Sequence, residues 1–264
     1  AEDLTDALAG ITNYTGAITL TDAPVATTDI AAALQLTTGK VTATVTNTAT
    51  DLLAVLDNAK PTDALTLEVS AATAAQLKAL DAKTSVAVDA SAVLAITGTA
   101  ADLKTVLAAN TITKAAGVDV EVTGTVSAAD LNTIANATTG AVTADVTGSA
   151  AALNAALKNA NAGDALTLEL TGTTATAKDL KELAAKTSVT IDATDIETIT
   201  GNLSDVTTVL TSGTIDTATD VAVTITGTLT SDDITALNAI TTDGIVKATV
   251  KGTVEDLATV TTAA

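Results

Sequence analysis

A phrase that recurs along this chain limits what it can fold into more than any single residue does. KVTATVTNTATDLLAVL at 40–56 returns as AVTADVTGSAAALNAAL at 141–157 and again as VKATVKGTVEDLATV at 246–260. DALTLEVS at 63–70 returns as DALTLELT at 164–171, and AKTSVAVDAS at 82–91 returns as AKTSVTIDAT at 185–194. Self-similarity of this kind is the signature of stacked supersecondary units.

The period is set by the apolar residue that follows each predicted helix start: Leu4, Ile30, Leu52, Leu77, Leu103, Leu131, Leu153, Leu180, Val206, Ile234 and Leu257. From Ile30 the spacings 22, 25, 26 and 28 are followed by 22, 27, 26 and 28, and a third round opens with 23. Four coils therefore form a super-repeat of about 101 to 104 residues, with units at about 1–38 (partial), 39–139, 140–243 and 244–264 (partial).

Within a coil the hydrophobic period changes from strand to helix. In VTADVTG, Val142, Ala144 and Val146 alternate with Thr143, Asp145 and Thr147, which predicts a strand with one buried face. Gly148 ends that run, and glycines at 98, 124, 172, 201, 227 and 252 hold similar places. Helix starts follow: TAAD at 99–102, SAAD at 127–130, TAKD at 176–179, NLSD at 202–205, TSDD at 230–233 and TVED at 253–256. A Ser, Thr or Asn oxygen there accepts a first-turn N–H, and the acid three residues on favours the helix dipole. Coils three and four contain extra extended material, SVAVDASAVLAIT and TITKAAGVDVEVT, which predicts a second short strand in each.

One short strand and one short helix cannot bury their apolar faces alone, but stacked copies can. The expected fold is α/β: a right-handed strand–turn–helix solenoid of about eleven coils, with a parallel sheet on one side and short helices on the other. The 264 residues are read as one continuous array, because no Pro-, Gly- or Ser-rich linker breaks the phase. Three separate α/β domains of about 100 residues form the rival arrangement. Composition supports thin layers: Phe, Trp and Met are absent, Tyr14 is the single aromatic, and the core must be built from Ala, Val, Leu and Ile. The opening AEDLTDALAG and closing VEDLATVTTAA both read as helix without a polar cap, so the array is expected to meet flanking repeats of the same polypeptide or copies of itself.

Chemistry is constrained by what is missing. The chain has no His, Cys or Arg, so the usual general base, thiolate nucleophile and phosphate fork are unavailable, and catalysis is not expected. A net charge of -19 disfavours nucleic acid, and no apolar run is long enough for membrane insertion. Counting back from the VTG-type turns places Glu121, Asp145 and Glu169 on one outward row, with Glu68 in the corresponding place of its own super-repeat. Like charges stacked on neighbouring strands repel, and calcium, the candidate cofactor, would relieve them by sharing hard oxygen donors. The competing reading is a solvated acidic face. Outward threonines such as Thr42, Thr44, Thr46, Thr143, Thr147, Thr167 and Thr171 also suggest water ordering of the ice-binding kind, although the interspersed acids break the array. NYT at 13–15, NAT at 136–138 and NLS at 202–204 fit the N-glycosylation pattern, making glycans a further partner class.

LAITGTAADLKTVLAANTIT and VTGTVSAADLNTIANATTGAVTADVTGSAAALNAAL resemble the repeat regions of giant bacterial cell-surface proteins. That group includes marine cyanobacterial swimming-associated surface proteins, S-layer-like proteins and large adhesins. The resemblance spans essentially the whole chain and implies an extracellular location on a bacterial cell surface. It also implies a structural role in a surface layer, sheath, filament or adhesin stalk. The alternative expectation is an adhesin module whose acidic sheet face binds calcium or a glycan.

Overall fold

In the computed structural model, residues 10–11, 14–241 and 244–252 are described. The predicted marker residues Leu4 and Leu257, the TVED cap and the NYT asparagine lie outside them. The described residues up to Thr123, together with Ile134–Ala141, form one compact unit. Gly124–Thr133 and the described residues from Val142 onward form a second.

In the first unit the chain runs β1 (Ile18–Thr19), α1 (Thr27–Leu36), β2 (Val41–Asn47), α2 (Ala49–Val55), β3 (Ala64–Val69) and α3 (Ala74–Asp81). It continues through β4 (Val88–Ala90), β5 (Ala95–Gly98), α4 (Ala100–Ala108), β6 (Ile112–Lys114) and β7 (Asp119–Val122). One sheet has the order β1-β2-β3-β4-β6, and β5 pairs with β7; every one of these pairs is parallel. Helix α5 (Ala128–Ala137) comes next in the chain.

The second unit repeats the plan with β8 (Val142–Gly148), α6 (Ala150–Ala156), β9 (Ala165–Leu170), β10 (Thr174–Thr176) and α7 (Ala177–Ala184). After these come β11 (Ile191–Ala193), β12 (Thr198–Gly201), α8 (Leu203–Leu210), β13 (Ile215–Thr217), β14 (Ala222–Leu229), α9 (Ser231–Ile240) and β15 (Val246–Val250). Here β8-β9-β11-β13 and β10-β12-β14-β15 form parallel arrays. The protein is thus α/β with parallel sheets, as parallel pairing through intervening helices requires.

The extra extended material forms successive short strands, β4 then β5 and β6 then β7, and again β11 then β12 and β13 then β14, with β4 laddered to β6, β5 to β7, β11 to β13 and β12 to β14. The two strands of each succession enter different sheets. A sharp bend separates them: Ser91 N–H donates to Asp89 Oδ1 at 2.9 Å and Val93 N–H to the Ala90 carbonyl at 3.0 Å. In the second unit Thr194 N–H and Ile196 N–H close the same bend on Asp192 and Ala193.

Helix starts are fixed by side-chain caps. Thr48, Thr73, Thr99, Ser149, Thr176, Asn202 and Thr230 each accept the N–H of the residue three further on. Ser127 does the same for Asp130 N–H at 3.1 Å. Helix α1 starts at Ala26 without a side-chain cap. The apolar markers from Ile30 to Ile234 are all buried, so the residue four positions after each cap turns its helix inward.

Polar groups are also buried in these cores. Asp63 and Asp164 are 0% and 1% exposed. Asp63 Oδ1 accepts Val41 N–H at 2.8 Å and Oδ2 accepts Lys60 N–H at 2.8 Å. Asp164 repeats this with Val142 N–H and Asn161 N–H, both at 2.9 Å. Thr84 and Thr187 complete the motif, for each hydroxyl takes a strand N–H from Leu65 or Leu166 and returns its proton to that residue's carbonyl. A strand that begins beside a chain turn leaves N–H groups with no sheet neighbour, and these side chains supply the missing acceptors.

Candidate functional site

The predicted acidic residues all stand exposed on strands, at Glu68, Glu121, Asp145 and Glu169. Three of them share one arrangement. Thr46 Oγ1 donates to Glu68 Oε2 at 2.6 Å, Thr97 Oγ1 to Glu121 Oε2 at 3.1 Å, and Thr147 Oγ1 to Glu169 Oε2 at 2.8 Å. Each glutamate is thus met from the neighbouring strand of its ladder by a hydroxyl, which offsets part of the repulsion that the sequence pattern suggests.

Asp145 does not share this arrangement. The register pairs Asp145 with Thr167 and Thr147 with Glu169, so Asp145 and Glu169 stand two residues out of step. The cause lies in the glycines from which the row was counted. Gly148 ends β8 directly before the Ser149 cap, and a Cβ there would lie 3.0 Å from Leu153 Cδ2. Gly172 instead has φ +90, and β10 intervenes before the next helix. Only Gly readily adopts that φ, so Gly172 makes a turn while Gly148 makes close packing, and the two are not equivalent.

The acids that do align are others. Glu68 faces Asp89, and Asp89 faces Thr113. Glu169 faces Asp192, and Asp192 faces Asp216. Each row borders a depression at the strand bend: one of about 190 Å³ includes Thr46, Glu68, Asp89 and Ser91, and one of about 180 Å³ includes Thr167, Glu169, Asp192 and Asp195. The Ser91 hydroxyl, then its N–H, holds the Asp89 carboxyl below the usual carboxylate range; the Thr194 hydroxyl and N–H do so for Asp192. Asp89 and Asp192 are therefore ionised at neutral pH and carry internal hydrogen bonds. Among the described residues, no group of three or more acidic side chains is placed to hold a metal ion.

A third depression, of about 360 Å³, includes Leu107, Lys114, Val118 and Thr138. Lys114 Nζ donates there to the carbonyls of Val106, Ala109 and Ile112 at 3.2, 2.7 and 3.0 Å. Burial pushes its pKa down, but the ammonium is already engaged in closing the end of α4, where cations are favoured. Among the described residues, no helix is long and apolar enough to cross a membrane.

The residues that sequence reasoning missed are Asp63, Thr84, Asp164 and Thr187. Their signal was present in the verbatim return of DALTLE and AKTSV, two stretches that are identical in both copies. Comparison with known proteins gives no matching family model, no matching curated protein and no matching solved structure.

Proposed function

We propose that this chain is a structural repeat array of a bacterial extracellular assembly, such as a surface layer, sheath, filament or adhesin stalk. In this reading its coils stack as one solenoid, and the array extends end to end through further repeats. The carrying observation is the duplicated inter-coil joint. Six consecutive residue pairs join β2 to β3, six join β8 to β9, and in both places a buried aspartate caps the start of the joint. A joint built twice in one chain to the same hydrogen-bonding plan is a stacking element, and stacking elements add. Resemblance of the repeat phrases to giant bacterial surface proteins supports the location, and the absence of His, Cys and Arg supports a role other than catalysis.

Electron microscopy of the native material tests the reading. Ordered fibres or lattices with a repeat along the strand-stacking direction are expected. Dispersed compact particles would overturn it.

A further inference from the structure

The structure assigns to the free edge of β15 a partner of defined chemistry: a further repeat coil of the kind that begins at β3 and β9. This inference rests on the stacking reading above and specifies which coil can follow. By phrase alignment Val246, Ala248 and Val250 take the places of Val41, Ala43 and Val45 on β2, and of Val142, Ala144 and Val146 on β8. All six residues on β2 and β8 are buried, whereas the three on β15 are half-buried and the preceding Ile245 is 64% exposed. Among the described residues β15 pairs with β14 alone, while β2 and β8 are covered on that same edge by β3 and β9.

The occupant follows from the two joints already built. It carries Leu at two alternate inward positions, as Leu65 and Leu67 or Leu166 and Leu168 do, to cover the apolar row. It also carries an aspartate just ahead of the strand, because Val41 N–H and Val142 N–H both donate to such a carboxylate and Val246 holds their place. Asp-Ala-Leu-Thr-Leu-Glu meets both demands.

An intact second copy of this chain does not supply that strand. Its β3 lies between β2 and β4, and its β9 lies between β8 and β11. Its described edge strands are β1, β5, β6, β10, β13 and β15, and none of them carries two alternate leucines behind an aspartate; in β1, the first of them in the chain, Ile18 N–H donates to the Lys40 carbonyl as Val120 N–H does to Ala141 and Val223 N–H to Ile245. That identifies β1 as a strand of the β7 and β14 type. The joint addressed by β15 is therefore in phase with the super-repeat, and an intact copy would meet it out of phase.

Three extended versions of the full chain test this. One carries a copy of residues 161–201 after Ala264, which keeps the phase; one carries that copy with Asp164→Ala; one carries a copy of residues 109–149, which breaks the phase. Hydrogen exchange is read at the amides of Val246, Ala248 and Val250. The in-phase extension is expected to slow all three by at least about tenfold, and the Asp164→Ala copy to lose the effect at Val246 while keeping it at Ala248. Equal slowing by the out-of-phase extension, or no slowing by either, would overturn the assignment. Fibres formed by intact, unextended chains would also overturn it, yet would leave the stacking reading in place.

Discussion

Asp63 and Asp164 hold the same buried place in the two units, yet where the first unit then exposes Leu94, at 74%, the second carries Glu197. The same contrast runs along the sheet face. Ala92 and Thr113 in the first unit stand where the second has Asp195 and Asp216. Even a shared task is met by different means beside the buried aspartate: Lys60 Nζ reaches the carbonyls of Thr38 and Gly39 at 3.1 and 2.9 Å, whereas Asn161 in its place turns its amide back onto Asp164 at 3.3 Å. Interior positions answer to unpaired backbone groups, which allow few solutions. Outward positions answer to water, which allows many.

The largest effects should therefore be equal in the two units. Asp63→Ala and Asp164→Ala each strand two N–H groups in a dry setting, and each should cost about 3 kcal/mol in urea-induced unfolding. A difference between them well beyond about 0.5 kcal/mol would break the equivalence of the two joints. Next come Thr84→Val and Thr187→Val, which keep the shape of the side chain. Each leaves the N–H of Leu65 or Leu166 without its acceptor, at a cost of about 2 kcal/mol, again alike in both units. Replacing Leu94 by Glu, which copies the second unit's surface onto the first, should change stability by less than about 0.5 kcal/mol.

Much of this architecture is legible in the sequence because local rules specify it. The cap residues, the buried markers from Ile30 to Ile234 and the successive short strands from β4 to β7 follow from short-range pattern. What escapes local reading is the offset between strands. The step from Thr46 to Glu68 spans 22 residues and that from Thr97 to Glu121 spans 24, and helix and turn lengths far from the strand set the difference. Asp145 falls out of line for a related reason, because Gly148 and Gly172, from which the row is counted, end their strands in different ways. Buried Asp63 and Asp164 escape it for another: an aspartate before a strand looks like a turn residue until the orphan N–H of the neighbouring strand is seen beside it.

The smallest predicted effect concerns the helices, and it separates capping from stacking. Lys78 on α3 pairs with Asp102 at the start of α4, and Lys181 on α7 pairs with Asp205 at the start of α8. Both carboxyls are held below their ordinary range, chiefly by the lysine and next by the capping residue, Thr99 or Asn202. Asp233 is lowered by the N–H and hydroxyl of Thr230. A depressed carboxyl pKa contributes stability above its unfolded value, near about 4, and that contribution is lost as pH falls through the folded value. Lys78→Ala and Lys181→Ala should then raise the titration midpoints of Asp102 and Asp205 toward the ordinary range, while Asp233 stays where it is. Exposed pairs are screened, so the shift should shrink in about 1 M salt. Carboxyl chemical shifts followed by NMR through acid titration measure all three together. If Asp102 and Asp205 do not move, the cap alone sets their pKa and the lysines contribute nothing to holding one helix on the next.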